Sequence, residues 1–575
     1  MTNRRNEISP GKPRQRVQVS LPDGRIFAGP VDTPLNEFLR TAYTDRDNPP
    51  VAAIVDGTLR ELAWPVATDA AVEPIFVSDS DGMRIYCRSL SFLLIVAAHD
   101  LYPEAHVFVD YSVPYGGYFC RVEERDMFST EELAKLKEHM RRLVSDDLPI
   151  ERLRATVPEA AEIFAERGEH DKVHLLEDVQ DDHVHLYSLN GFSDYSYGYM
   201  VATTGVLHTF TLESFSDGFI LRFPRREDPT RLLPAQKFTE LRRVFNEYGE
   251  WLDAVGIRNV ASLNEAIRSG RIEEVVLVSE ALHEQRIAEI ASTLARRHDA
   301  KHRLVFIAGP SSSGKTTFSK RLAVQLVANG IHPYPLGMDN YFIPRAKLEA
   351  RGGEIDFDSL SALDIEYFQE QLHSLLSGKE VTLPRYDFKN GEREEGDRIK
   401  LKPDQLLIVE GIHGLNPKLL QGFADGEVFR IFVSALTQLN LDSHNRVSTT
   451  DTRLIRRIVR DAVYRGYPAE KTLEMWDNVR RGEKQNIFPY QEQADVMFNS
   501  ALAYELSVLK PLVEPLLLQI RSPLQRIEAE RLLAFLRWFD PYTSERIPGN
   551  SLLREFVGGS TLRDFTPSLL LTRGE

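Results

Sequence analysis

A short apolar run, Leu304 to Ala308, leads without a break into GPSSSGKTTFSK. Five apolar residues, with β-branched and aromatic Val305, Phe306 and Ile307 at their centre, read as a buried strand, and the glycines that follow require a tight turn opening into a helix. Gly309, Gly314, Lys315 and Thr316 complete the pattern GxxxxGK[ST] between that strand and that helix. Glycines at these places let backbone N–H groups turn inward around phosphate oxygens, and the helix adds its positive N-terminal end. The nine residues Gly309, Pro310, Ser311, Ser312, Ser313, Gly314, Lys315, Thr316 and Thr317 are therefore expected to bind a nucleotide. Lys315 would reach the β and γ phosphates, and the Thr316 hydroxyl would bind Mg²⁺.

A chain of 575 residues is too long for one core. From Arg303 onward β-rich runs (RLVFIAG, LLIVEGI, VFRIFVS) alternate with amphipathic helical patterns (KTTFSKRLAVQLVANG, DTRLIRRIVRDAVYRG), which predicts a parallel sheet flanked by helices. Upstream, RVQVSLPDGRIFAGPVDTPLNEFLRTA predicts two strands around a Pro-Asp-Gly turn and then a helix. RIYCRSLSFLLIVAAHDLYP reads as an apolar helix, and FSTEELAKLKEHMRRLV starts with a Ser or Thr cap ahead of paired acids. The expected organisation is a flexible tail over 1–15, α+β units over 16–78 and 79–225, a charged helical connector over 226–302, the loop-bearing domain over 303–525 and an extension over 526–575. The closing IPGNSLLREFVGGS reads as an ordered element with no chemical role attached.

Composition narrows the setting. The chain is 42% hydrophobic and 27% charged, as globular domains are. Its formal charge of −15 argues against bulk electrostatic binding of nucleic acid. Cys87 and Cys120 are the only cysteines, which excludes a disulfide framework and a four-cysteine zinc site. No apolar stretch spans a bilayer and the first residues lack a secretory signal, so a cytoplasmic location is expected, with no membrane partner.

The phosphate loop alone leaves open whether the γ phosphate passes to water, to a protein or to a small molecule. The guanine-reading NKxD is absent, and LSGKE at Leu376 is a poor copy of the transport-ATPase signature. YPLGMDNYF puts Asp339 at the end of a β run, where it could orient an acceptor hydroxyl and take its proton. LLIVEGIHGL puts Glu410 at the tip of another, suited to organising a metal. Arg453, Arg456, Arg457, Arg460 and Arg465 share one helical segment and read as a phosphate-facing lid.

With these landmarks in order (GPSSSGKTT, MDNYF, IDFDSLSALD, LPRYDF, LIVEGIHGL, DTRLIRRIVRDAVYRG), the segment from about Arg303 to Ile520 resembles the uridine kinase and phosphoribulokinase family of P-loop kinases. The resemblance implies ATP and Mg²⁺ as cofactors and a nucleoside, first of all uridine or cytidine, as acceptor at its 5′-hydroxyl. Carried over, it makes Asp339 the base, Arg457 a catalytic contact near substrate, Arg460 and Arg465 lid groups on the triphosphate beside Lys315, and Thr316 and Glu410 the metal-linked pair. Tyr341 and Asp339 are expected to hold the acceptor, with Asp358 as a ribose or metal-water contact and Tyr386 and Phe388 as walls of the base pocket. Three positions depart from the uridine–cytidine pattern: Gly391 replaces the pyrimidine-reading histidine, Met475 a glutamine, and Tyr467 an arginine of the lid. An insert, SALTQLNLDSHNRVSTT, precedes the lid. The acceptor is therefore less defined than the transfer, and another nucleoside or a sugar phosphate stays open.

The unit from Arg16 to about Phe76 resembles a TGS domain, and the region to Arg225 resembles the second additional domain of threonyl-tRNA synthetase, through LYPEAHVFVDY, FSTEELAKLKEHM and FAERGEHDKVHLL. The editing chemistry of that domain needs HxxxH and CxxxH pairs. Here those positions are Phe92 and Val96, then Ser196 and Met200, so hydrolysis is not expected. His170, His174, His183 and His185 lie among many acids and read as a solvated surface. A weak RNA or tRNA contact through this half, a nucleotide-gated RNA-binding regulator and a homo-oligomer remain open. The expected fold is multidomain α/β, with a P-loop NTPase-type parallel sheet behind α+β TGS-like and editing-like domains.

Overall fold

The computed structural model describes residues 14–565 apart from 178, 180, 299–301, 351–356, 389 and 425. The expected tail over 1–15 lies, but for its last two residues, outside the described residues, as do the last ten residues of the extension and part of the IDFDSLSALD landmark. The chain separates into two compact units, one running to 235 and including 443–445, the other holding 236–442 and 446 onward.

In the first unit the N-terminal strands Arg16–Ser20 and Ile26–Pro30 form the expected hairpin. Alternation does the work: Val17 and Val19 point into the core while their neighbours face solvent. Gly24 sits at φ +84° in the turn, a conformation the Pro-Asp-Gly sequence anticipates. The sheet is larger than the hairpin, in the order Ile26–Pro30, Arg16–Ser20, Ala70–Phe76, Pro50–Val55, Thr58–Glu61. Helix Leu35–Ala42 packs Leu35, Phe38 and Leu39 with Val17, Val19, Val55 and Val72.

Helix Ser80–Leu101 opens the following region and is buried along most of its length. It packs with helix Thr130–Ser145 and a four-stranded antiparallel sheet (Thr211–Phe215, Gly218–Arg222, Gly117–Glu123, His106–Ser112) around a core that includes Leu90, Leu93, Leu136, Met140 and Phe219. Ser129 and Glu132 close a reciprocal capping box at the start of the second helix, as FSTEEL predicts. Among the described residues no helix is long and apolar enough to cross a membrane.

The second unit is built on a five-stranded parallel sheet, ordered His332–Gly337, Gln405–Glu410, Leu304–Ala308, Val428–Ser434, Val496–Asn499. Leu304–Ala308 is buried at every position, as a central strand covered on both faces must be. Helix Lys315–Ala328 follows it, and helices Thr239–Ala254, Val260–Arg268 and Ile272–Arg297 belong to this same unit. The last of these is tied to the loop helix by the buried ion pair of Glu280 with Arg321, 3.1 Å. A long hairpin, Glu380–Asp387 with Glu392–Lys400, stands apart from the sheet. Helix Thr449–Arg460 runs into one wide π-type turn, Asp461–Arg465, ended by Gly466 at φ +65°.

Candidate nucleotide and acceptor site

The register of the parallel sheet brings the proposed groups to one edge. Ile307 and Gly337 both lie opposite Glu410, so the loop beginning at Gly309, the Glu410 carboxylate and the turn carrying Asp339 emerge together at the C-terminal ends of three adjacent strands. The loop is specified sterically: a Cβ on Gly309 would fall 2.0 Å from the Val433 carbonyl oxygen. Ser312 and Gly314 take left-handed backbone, φ +58° and +87°.

Lys315 is buried and its Nζ donates to the Pro310 carbonyl at 3.0 Å. Burial lowers its pKa, while Glu410, Glu555 and Asp339 pull the other way. Thr316 is exposed, and its Oγ1 donates to Glu410 Oε2 at 3.3 Å. Burial pushes Glu410 up to about 7, against the pull of Lys315. A hydroxyl and a carboxylate side by side are hard oxygen donors, which fit Mg²⁺ completed by phosphate oxygens and water. Among the described residues no group of three or more His, Cys, Asp or Glu side chains forms a protein-only metal cage.

Asp339 lies in the short turn Met338–Tyr341 and remains solvent-accessible at the mouth of the cleft. The surrounding protein raises its pKa above the ordinary aspartate value, and Lys315, Arg465 and Arg460 pull it back. Asp358 bears electrostatically on Arg457. Tyr386 and Phe388 form an edge-to-face cluster with Phe342 and Phe357, and Phe388 leaves 54% of its surface open. Tyr341, expected to hold the acceptor, is fully buried instead, its hydroxyl donating to Gln371 Oε1 at 3.0 Å and its ring set against Phe368. Tyr341 packs in the same core as Met338 and Phe342, while Asp339 stays exposed.

The arginine stripe divides. Arg457, Arg460 and Arg465 all reach the buried Asp461, at 3.4, 2.9 and 3.4 Å, and Arg457 also donates to Ser311 Oγ at 2.8 Å. Arg453 and Arg456 do not face phosphate as the stripe predicts. Arg453 pairs with buried Glu483 and Arg456 with buried Glu505, and each donates to a loop carbonyl, Ser311 O and Ser312 O respectively. Glu483 in turn accepts from the Ser311 amide at 3.1 Å. These two arginines support the loop from behind.

Several groups in the site carry no local motif. Arg345 fills the space beside Gly391, where a Cβ would lie 2.7 Å from the Arg345 Cβ, and its guanidinium donates to the Phe388 carbonyl. Met475, at the other altered position, is half-buried on helix Ala469–Asn486. His413 is buried beyond Glu410, and that burial pushes it down to about 4.

In the first unit, Phe92, Val96, Ser196 and Met200 are all buried, and none is a histidine or cysteine. His170, His174 and His185 are exposed and His183 half-buried, as a solvated segment requires. Near Ser196 the structure sets a group the sequence did not single out: buried Lys172 and Asp194 pair at 2.5 Å, and His444 Nδ1 lies 2.6 Å from Asp194 Oδ2.

A phosphate loop on the central strand of a parallel α/β sheet, with acids on the flanking strand ends and an arginine-bearing helix nearby, defines the second unit as a P-loop NTPase-type fold. Within it, residues 304–506 match the model described as the Phosphoribulokinase / Uridine kinase family, so the unit carries a domain of that kinase family. A possible uridine kinase from Bacillus stearothermophilus is 24% identical over 37% of this chain and 98% of its own, with a TM-score of 0.25. Phosphoribulokinase from Rhodobacter spheroides is 19% identical over 35% of this chain and 71% of its own, with a TM-score of 0.26. The N-terminal half is similar to threonine–tRNA ligases: that of Citrifermentans bemidjiense is 31% identical over 203 residues, 35% of this chain and 32% of the relative. The chain thus spans about a third of the length of that relative.

Proposed function

We propose that the second unit is a Mg·ATP-dependent kinase that transfers the γ-phosphoryl group to a hydroxyl of a small molecule, with a nucleoside 5′-hydroxyl, first uridine or cytidine, as acceptor. The observation that carries this reading is the convergence of Lys315, Thr316, Glu410 and Asp339 at one sheet edge, with Arg460 and Arg465 bearing on Asp339. In this reading the acceptor oxygen attacks the γ phosphorus, the bond to the β-phosphate oxygen breaks, and ADP leaves. Asp339 takes the hydroxyl proton, and its raised pKa makes it a better base than a free aspartate. Lys315, Arg460 and Arg465 stabilise charge on the transferring group, which is where most of the rate enhancement arises. Thr316 and Glu410 would hold Mg²⁺, which neutralises phosphate charge. Phe388 offers an exposed aromatic face for a base.

The test is an acceptor panel with the full-length protein, ATP and Mg²⁺, scoring ADP. Uridine or cytidine turning over supports the reading, and their silence beside an active sugar phosphate would replace it. Arg345 favours including sugar phosphates, because it brings a cation to the end of the site where the uridine–cytidine pattern has histidine.

For the N-terminal half we infer a weak RNA contact, on its similarity to threonine–tRNA ligases. Binding of tRNA at low salt that weakens steeply as salt rises is the expected result, and no binding at low salt contradicts it.

A further inference from the structure

The closing segment, whose order was expected without a role, lies on the phosphate loop. Ser551, Leu552, Leu553 and Phe556 are completely buried, and the Arg456 guanidinium sits over the Phe556 ring at 5.0 Å. A Cβ on Gly314 would come within 3.6 Å of Leu552. Further on, Lys320 of the loop helix donates to the carbonyls of Leu562 and Arg563, at 2.8 and 2.7 Å. Between these two anchors Glu555 Oε2 accepts from the Thr317 amide at 3.0 Å.

That amide has a particular standing. Helix Lys315–Ala328 begins its internal ladder with Phe318 N donating to Gly314 O, so Thr317 carries the last amide of the first turn with no partner inside the helix. The free amides of such a turn, with the helix dipole behind them, are what hold a phosphate after a glycine-rich loop. A carboxylate bonded there stands where an anionic ligand would bond. Glu483, which accepts from the Ser311 amide, differs: it is buried and clamped by Arg453 and Arg480. Among the described residues no salt bridge clamps Glu555; Lys315 and Lys320 act on it electrostatically, and its hydrogen bond is to the Thr317 amide.

We propose that Glu555 is a built-in competitor for nucleotide phosphate, and that the segment Ser551–Phe565 is a strap that must release the Thr317 amide before a nucleotide seats fully. This rests on the reading of the loop as a nucleotide site and adds its regulation. Ligand entry exchanges one anion for another at the same donor. Glu555 therefore lowers apparent nucleotide affinity, and anything that lifts the strap raises it.

The test measures ATP and ADP binding to the full-length protein, without acceptor, by titration calorimetry, for wild type, Glu555→Gln and Lys315→Ala. Glutamine keeps the shape and removes the charge. The expected result is tighter binding in Glu555→Gln by roughly 2- to 30-fold, the range of one carboxylate at a helix N-terminus. Equal or weaker binding overturns the proposal. A wild type that binds nucleotide, with Lys315→Ala that does not, upholds the loop reading whatever Glu555 does; no binding in any of the three proteins overturns both. Independently of any variant, hydrogen exchange on the wild type should show amides of 551–558 losing protection when ADP is added. Increased protection there would mean the segment closes on the nucleotide, and the competitor reading would be wrong.

Discussion

Glu483→Gln tests whether the phosphate loop is held by the buried ion cluster behind it. Glu483 is 2% exposed and Arg453 1%, while Arg480 keeps 20% of its side chain in contact with water. Burial opposes ionisation of Glu483, yet Arg453 and Arg480 together hold its pKa below the ordinary glutamate value. Removing one charge from a buried pair costs about 3–5 kcal/mol, because the partner is left desolvated and uncompensated. Arg453 keeps the Ser311 carbonyl at 3.1 Å and the Trp476 face at 5.6 Å, and Arg480 can turn to solvent, so the lower end, about 3 kcal/mol, is expected. The assay is urea unfolding followed by intrinsic fluorescence, since Trp251, Trp476 and Trp538 lie in the second unit and only Trp64 in the first. A loss below about 1 kcal/mol would refute the idea that the cluster holds the loop. The sign of the pH effect is also defined. A depressed carboxylate contributes its stability above the unfolded glutamate value and loses it as pH falls below that value, so wild type should weaken on acidification more than Glu483→Gln does.

Phe388→Ala should leave stability within about 0.5 kcal/mol, because the ring is mostly exposed, but raise KM for a nucleoside acceptor roughly tenfold if the ring stacks on a base; an unchanged KM removes Phe388 from the acceptor site. Arg465→Gln bears on the base. Arg465 lowers a pKa that the surrounding protein raises, so removing its charge lets Asp339 titrate higher and shifts the acid limb of kcat/KM toward higher pH. A limb that stays in place would mean the titrating group is not Asp339.

What could be read from residue order was what depends on neighbours in the chain. The phosphate loop, the strand ends carrying Asp339 and Glu410, the Pro-Asp-Gly turn and the Ser129 cap are local patterns with one physical solution each, and the structure contains all of them. The arginine stripe was ambiguous in the same terms. Helical spacing says which arginines share a face, but it does not reveal that Glu483 and Glu505, 30 and 49 residues on, neutralise Arg453 and Arg456. Tyr341 differs for a related reason, since the order of residues in a four-residue turn does not say which side chains pack inward, and only contacts with Phe368 and Gln371 place Tyr341 in the core. The Glu555 contact with Thr317 spans 238 residues and has no signature at either end. Thr58–Glu61 and the Glu380–Lys400 hairpin are not legible in the sequence because they are short or highly charged, while the apolar run Pro50–Val55 becomes a strand through its pairing with the distant Ala70–Phe76.

The measurement closest to the central claim follows label from γ-³²P ATP into the acceptor found by the panel, comparing wild type with Asp339→Asn. Wild type is expected to transfer label, and the variant to keep ATP binding with transfer slowed by roughly 10² or more, the scale of a lost general base. Near-normal transfer by Asp339→Asn would contradict the assignment of the base, and label released only as inorganic phosphate would contradict the kinase itself.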